Sequence, residues 1–229
     1  MNLLEDYTAG NILLIDKPLH WTSFQTVNKI RWVIKKHFGI KKIKVGHAGT
    51  LDPLATGLLV ICTGKMTKQI STYQGQEKEY TGTITLGTTT PSYDLETEIN
   101  KSYDTSHITE DLIYATTKQF TGRIEQYPPL FSAIKKDGKR LYEIARAGET
   151  VEINPRQVEI FAFDITEING LTLKFRVVCS KGTYIRSLAH DFGKALKSGA
   201  HLSELRRTRI GEFTVDNAML PETFVNHLS

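Results

Sequence analysis

The stretch GHAGTLDPLATG, residues 46–57, holds a single carboxylate, Asp52, among glycines, a proline and small residues. Lysines precede it at positions 41, 42 and 44 and follow it at positions 65 and 68. Asp followed by Pro is typical of a helix start, with Asp as the N-cap. A helix here would be barely one turn long before the apolar run 58–62, so such a cap would stabilise little. The alternative is a reactive carboxylate that meets a polyanion.

The charges around this loop are segregated along the chain, although the net charge is only +4. Residues 1–70 carry a net +6, residues 71–130 a net −5, and residues 174–209 a net +7. Two basic segments that flank an acidic one indicate a basic face that follows phosphates, with solvated helical faces as the alternative.

Composition excludes several classes of protein. No apolar run approaches the ~20 residues of a membrane span, and residues 1–10 contain no basic residue typical of a signal or transit peptide. Cys62 and Cys179 lie in apolar stretches, which favours buried thiols in a reducing cytoplasm over a disulfide framework. No His, Cys and carboxylate cluster has metal-ligand spacing, and no nucleotide-binding glycine fingerprint is present.

Periodicity predicts elements of both kinds. A strand is expected at 11–15, a helix after the capping box at Thr22–Gln25, a buried strand at 58–62, and a strand at 79–87. Residues 88–108 are predicted to be a long loop, 109–120 and 141–147 helices, and 158–165 with 171–179 a hairpin. A last helix follows Gly182-Thr183. Because these elements mix without βα alternation, we expect an α+β fold with a mixed, largely antiparallel sheet.

Four further residues are candidates for chemistry, each with a bland alternative. Arg186 near a helix start opposes the helix dipole and indicates a carboxylate or phosphate partner, unless it is simply exposed. Tyr80 is a core residue or a ring that stacks on an extruded base. Tyr184 is a packing residue or a pocket neighbour of Arg186, and His47 is structural or a wedge into RNA.

The chain as a whole resembles the bacterial tRNA pseudouridine-55 synthases of the TruB family. The likeness runs from Leu13 to about Phe213 and rests on motifs in the family's order. These are DKP at 16–18 with TS at 22–23, residues 46–57, KEY at 78–80, LG at 86–87, PLFSAIK at 129–135, LYE at 141–143 with AR at 145–146, CSKGTYIRSL at 179–188, GAHL at 199–202 and LRR at 205–207.

The resemblance implies a role for each candidate. Asp52 matches the catalytic aspartate, Tyr80 the tyrosine that stacks on the target uracil, and Arg186 the arginine paired with the aspartate. Tyr184 is its pocket neighbour, and His47 matches the histidine that inserts into the opened T loop. Other RNA-binding positions are Lys17, Lys135, Lys136, Arg140, Arg146 and Lys181.

The resemblance also implies one catalytic domain over 1–229 with the pseudouridine-synthase sheet and an inserted, thumb-like RNA-binding segment at about 124–152. Because the chain ends about sixteen residues after Phe213, we expect no C-terminal PUA domain. His20 stands where the family commonly has glycine, which affects the local turn.

The implied function is isomerisation of uridine to pseudouridine at position 55 of tRNA. The implied protein is a cytoplasmic monomer that binds no cofactor or metal, does not associate with a membrane and has no obligatory protein partner. The partner is the tRNA T stem-loop. The alternatives are a non-catalytic tRNA-binding or tRNA-folding module and a synthase that acts on another RNA. A metal-free glycosidase is less favoured, because paired carboxylates are not evident.

Overall fold

A computed structural model describes residues 3–132, 134–136, 138–149 and 151–228, and of Leu3, Lys135 and Lys136 it describes only the backbone. The helices are α1 Leu3–Ala9, α2 Ser23–Phe38, α3 Ile70–Gly75, α4 Glu110–Thr117, α5 Leu141–Arg146, α6 Ile185–Ala195 and α7 Pro221–Leu228. The strands are β1 Ile12–Lys17, β2 Val45–His47, β3 Ala55–Thr63, β4 Lys78–Leu86, β5 Thr88–Thr89, β6 Lys101–Ser102, β7 Gly122–Gln126, β8 Lys135–Lys136, β9 Lys139–Arg140, β10 Arg156–Asn169, β11 Thr172–Cys179, β12 Ala200–Ile210 and β13 Phe213–Thr214.

The chain divides into two compact units, one of Met1–Thr81 with Leu205–Ser229 and one of Gly82–Glu204. The predicted α+β class, with a mixed and largely antiparallel sheet flanked by helices, is confirmed. None of the described helices is long and apolar enough to cross a membrane. The single catalytic domain over 1–229 and the lack of a PUA domain stay predictions.

The first unit is built around β3, which pairs with β1 and β2 in antiparallel fashion and with β12 in parallel fashion. Its residues 58–62 are fully buried, as expected of a strand covered on both faces. The two faces of this sheet are covered by two apolar clusters. One includes Ile30 and Ile34 of α2 with Phe224 of α7, and the other includes Leu58, Val60 and Ile210.

Helix α2 forms as the sequence predicts. Thr22 caps it, since the Thr22 hydroxyl accepts from Gln25 N–H while the Gln25 side chain accepts from Thr22 N–H. Gly39 ends the helix in the left-handed conformation, with φ of 63°. Val27 belongs to the buried stripe, but Phe24, which shares its helical spacing, lies 66 % exposed.

The second unit contains the predicted hairpin, in which β10 and β11 pair across Asn169-Gly170, and β7 pairs with the other edge of β10. Four phenylalanines pack edge to face in its interior: Phe120, Phe163, Phe175 and Phe192. The segment 88–108 is more ordered than a long loop. It contains the β5–β6 pair, and Thr90, Ser92 and Asp94 are buried. The Thr90 and Ser92 hydroxyls are satisfied in the interior because both donate to Asp94 O.

Gly57 decides how closely β12 approaches β3. It pairs with Lys17 on one side and with Arg207 on the other, and its φ is +102°. A Cβ added there would lie 2.3 Å from Arg207 O. Only glycine accommodates this approach of two backbones.

We therefore expect Gly57→Ala to lower the free energy of unfolding by at least about 2 kcal/mol more than Gly39→Ala does. Gly39 is the matched control, because it also has a positive φ but a Cβ there would meet nothing within 4 Å. Urea denaturation of both variants measures the difference. Equal losses would show that the backbone approach at Gly57 is not the constraint.

Candidate active site and RNA-contact residues

Asp52 lies in a turn and not at a helix N-terminus. Ala55 N–H donates to Asp52 O at 3.0 Å, and β3 begins at Ala55. The side chain of Asp52 is half-buried. The helix-capping interpretation is therefore wrong.

The turn is tied to the start of α2 by side-chain and backbone bonds. The buried Ser23 hydroxyl accepts from Leu51 N–H at 2.8 Å and donates to Leu51 O at 3.1 Å. His20 N–H donates to Pro53 O at 2.8 Å. His20 has φ of +66°, which explains why glycine suits this position and shows that the turn forms with histidine as well.

Arg207 anchors the other side of the loop, and sequence reasoning missed it. Its side chain is 1 % exposed. Its Nε donates to Leu58 O at 2.8 Å, and its Nη2 donates to Gly49 O at 3.0 Å. A buried guanidinium is stable only when its donors are satisfied, so both carbonyls are held in place. The one available signal was that Arg206 and Arg207 alternate on a strand, where one of them must face inward.

Lys17 is the second buried cation beside the loop, with no exposed surface. Its Nζ donates to Pro18 O at 2.9 Å and to Trp21 O at 2.6 Å. Burial lowers the pKa of Lys17 to about 8; the carboxylate of Asp52 opposes this shift, and the charge of Arg207 adds to it. Lys17, Arg207 and Asp52 thus form one electrostatic group.

Asp16 lies next to Lys17 but is already engaged. Its carboxylate accepts from Arg206 Nη2 at 2.7 Å and from Arg206 Nη1 at 3.1 Å. This forked pair neutralises Arg206. Lys17 and Arg207 are therefore the cations left beside the Asp52 turn.

Two further candidates belong to the same unit. His47 ends β2, and burial lowers its pKa; a backbone hydrogen bond with Gly49 partly opposes this, and Arg207 lowers it further. The ring is therefore neutral at pH 7, which suits a wedge better than a phosphate-binding cation.

Tyr80 on β4 is buried, in keeping with its position on the apolar face of the strand.

Arg186 belongs to the second unit, in the first turn of α6, and it is 4 % exposed. Its Nε lies 3.6 Å from Asp94 Oδ2, and its Nη1 and Nη2 donate to Ser92 O and Phe131 O at 3.2 and 2.9 Å. The alternative of an exposed arginine is wrong. Asp94 is a carboxylate partner that the sequence did not reveal, because it lies in the segment interpreted as a loop; the pairing of Arg186 with Asp52 stays a prediction.

Tyr184 precedes α6 and is held by the buried side chain of Gln126, another residue that the sequence did not single out. Tyr184 N–H donates to Gln126 Oε1 at 2.7 Å, and Gln126 Nε2 donates to Tyr184 O at 3.0 Å. The guanidinium of Arg156 lies 5.2 Å from the centre of the tyrosine ring. This arrangement fixes the ring beside a cation.

The segment at about 124–152, which is predicted to be thumb-like, carries exposed basic groups. Arg140 and Arg146 lie 5.8 and 5.5 Å from the ring centre of Tyr142, and Arg146 also pairs with Glu96 at 2.8 Å. Lys181 is exposed beside Gly182. The side chains of Lys135 and Lys136 lie outside the described part of the structure. In the described ranges, no group of three or more His, Cys, Asp or Glu side chains is placed to hold a metal ion.

Comparison with known proteins fits this geometry. Residues 35–185 match the TruB family pseudouridylate synthase (N terminal domain), and residues 186–226 match the tRNA pseudouridylate synthase B C-terminal domain. The chain belongs to the TruB family. A relative in Flavobacterium johnsoniae, named tRNA pseudouridine synthase B, is 64 % identical over 94 % of each chain. One of the same name in Phocaeicola vulgatus is 55 % identical over 96 % of this chain and 93 % of its own.

Solved structures show the same fold. A chain in the crystal structure of a Cbf5-Nop10-Gar1 complex matches with a TM-score of 0.70 and 34 % identity, over 95 % of this chain and 54 % of that one. A chain in the structure of an H/ACA RNP bound to a substrate RNA containing 2′-deoxyuridine matches with a TM-score of 0.68 and 30 % identity, over 96 % and 53 %. This member of the family therefore spans about half the length of those solved chains.

The lowered pKa of Lys17 predicts a pH-dependent stability. The unfolded state keeps the Lys17 proton up to its ordinary pKa of 10.5, and the folded state loses it near pH 8. Between these values the unfolded state binds more protons, so the free energy of unfolding of the wild type rises with pH relative to Lys17→Met. Urea denaturation at pH 7 and pH 10 measures this difference.

The exposed Lys42→Met is the control, whose difference from the wild type should stay constant over the same range. If the free energy of unfolding of the wild type, measured relative to Lys17→Met, stays constant or falls between pH 7 and pH 10, the lowered pKa of a buried Lys17 is contradicted.

Proposed function

We propose that the protein isomerises uridine to pseudouridine at position 55, in the T loop of tRNA, with Asp52 as the reactive carboxylate. The observation that carries the proposal is Asp52 in a turn beside two buried cations, Lys17 and Arg207, in a chain of the TruB family. The proposed reaction needs one carboxylate at a ribose, and the Asp52 turn supports the proposal because it presents a half-buried carboxylate. We further propose that it acts in the cytoplasm, as a monomer.

The reaction moves a bond within one nucleotide. The bond between N1 of uracil and C1′ of the ribose breaks, the uracil turns while it is held, and C5 bonds to C1′. The proton on C5 is released and N1 gains one, so nothing is consumed. The base must first leave its stack, which costs a few kcal/mol that pocket stacking and phosphate contacts offset.

Two roles fit Asp52. The carboxylate attacks C1′ as uracil leaves, and C5 then displaces it; or the carboxylate removes the 2′ proton as uracil leaves and later returns it. Both roles use the carboxylate of Asp52, which lies beside the buried cations Lys17 and Arg207. Tyr80 supplies a ring to hold the free uracil and a hydroxyl near the C5 proton. Arg186 and Tyr184 keep their predicted roles in the pocket, and His47 and the thumb-like segment keep theirs on RNA.

Asp52→Asn should lower the rate of tritium release from C5-labelled uridine in a T-arm hairpin by at least about 1,000-fold, because the amide cannot act as nucleophile or base. RNA affinity should change by no more than about threefold, since the substitution removes one charge and no volume. Asp216→Asn is the matched control, because Asp216 is an exposed aspartate in the same unit.

Substantial release by Asp52→Asn would remove Asp52 from the mechanism. Wild type that binds the hairpin and releases no tritium would instead identify a tRNA-binding module. A parallel assay on ribosomal RNA fragments distinguishes a synthase with another substrate.

A further inference from the structure

The outer face of α2 exposes an aromatic surface that the reaction does not use. Trp32 is 53 % exposed and Phe24 lies on the same helix. An open concavity of about 480 Å³ is lined by Trp21, Gln25, Asn28, Lys29 and Trp32. Spacings of three and four residues place 25, 28 and 32 on one side of the helix, and Trp21 lies just before its N-cap Thr22. This aromatic face of α2 lies opposite the stripe that packs into the core.

The segment that carries this face is strongly basic. Between Asp16 and Asp52 the chain contains no acidic residue and eight basic ones: Lys17, Lys29, Arg31, Lys35, Lys36, Lys41, Lys42 and Lys44. Lys29 Nζ and Lys36 Nζ lie 5.5 and 4.9 Å from the ring centre of Trp32. An aromatic ring flanked by cations is the combination that holds unpaired nucleotides, through stacking and phosphate contacts. A second copy of this face would instead bring like charges together.

The polar groups of the concavity also fit a base. The Gln25 amide oxygen accepts from Thr22, and the Asn28 amide oxygen accepts from Arg31 Nη1 at 2.6 Å. Because their oxygens are engaged, these two side chains offer N–H donors to a ligand. Nucleobase carbonyls and ring nitrogens accept such hydrogen bonds.

The aromatic face of α2 adjoins the Asp52 turn within one unit. Trp21, which lines the concavity, follows His20, whose N–H donates at 2.8 Å to the carbonyl oxygen of Pro53, the residue after Asp52. Phe24 and Trp32 lie eight residues apart, which is about 12 Å along a helix. The concavity therefore begins at the chain segment that is bonded to the Asp52 turn.

We propose that the aromatic face of α2 is a second RNA-binding site, which stacks unpaired nucleotides of the RNA on Trp32 and holds their phosphates with Lys29 and Lys36. The proposal rests on the proposed function, because the same RNA is to present its uridine to Asp52. It assigns a contact for nucleotides outside the target loop.

Trp32 can report its own occupancy. The chain has two tryptophans, so Trp21→Phe leaves Trp32 as the only one. Titration of this variant with an unpaired RNA of about ten nucleotides should quench the Trp32 fluorescence, because a base stacks on the ring. A duplex RNA of the same length should quench it much less, since its bases are already stacked.

Affinity measurements separate stacking from charge. Trp32→Ala should weaken binding of the unpaired RNA by about 5- to 150-fold, whereas Trp32→Phe, which keeps a ring, should stay within about threefold of wild type. Tyr114→Ala is the control, since Tyr114 is an exposed aromatic on a helix with an acidic first turn. Lys29→Gln with Lys36→Gln should lower the slope of log K against log salt by roughly 0.7 for each lysine.

The proposal is overturned if Trp32 fluorescence is unchanged on addition of RNA, or if Trp32→Ala binds RNA as tightly as the wild type does. A surface that binds a protein partner instead of RNA would give these same results. Tritium release by the wild type on the T-arm hairpin is measured alongside. Release without a Trp32 signal defeats this proposal alone, whereas a Trp32 signal without release defeats the proposed function and leaves the RNA site standing.

Discussion

Burial of the Arg207 side chain is the constraint on which the Asp52 loop depends. Its guanidinium donates to Leu58 O of β3 and to Gly49 O of the loop, so it joins a strand of the core to the segment that carries Asp52. Gly57 has to lack a side chain because the backbone of Arg207 lies against it. Lys17, on the other side of Gly57, adds a second buried cation. The carboxylates of Asp52 and, to a smaller extent, Asp16 oppose the lowering of the Lys17 pKa by burial.

Local signals in the sequence were sufficient for α2 and for the β10–β11 hairpin, but not for β12, which carries Arg207. The capping box at Thr22 and the glycine at 39 bound α2, and Asn169-Gly170 marks the β10–β11 hairpin. These features depend on backbone conformation over a few residues, which neighbouring side chains determine. Asp52 stays a prediction as the reactive carboxylate, made because a lone acid in a basic, glycine-rich loop is unusual. The resemblance of the chain to the TruB family was inferred from several motifs in the family's order and not from any one of them.

Contacts between distant segments could not be predicted in the same way. Arg207 meets Gly49 across 158 positions, and Arg186 meets Asp94 across 92, so only the fold brings them together. Segment 88–108 was interpreted as a loop because its Thr, Ser and Asp residues are polar. The hydroxyls of Thr90 and Ser92, however, both donate to the backbone carbonyl of Asp94. Phe24 fits the helical period of the core stripe but is exposed, since periodicity does not show where the packed surface ends.

The single-turnover rate of Arg207→Lys on a T-arm hairpin measures how far the Asp52 turn depends on the buried guanidinium. Lysine keeps the buried charge but cannot donate from separate nitrogens to both Leu58 O and Gly49 O, so the loop loses an anchor. We expect a folded protein, by near-ultraviolet circular dichroism, whose rate falls by at least about 100-fold. A folded Arg207→Lys protein with a rate within about threefold of wild type would show that Arg207 does not position the Asp52 turn for the reaction.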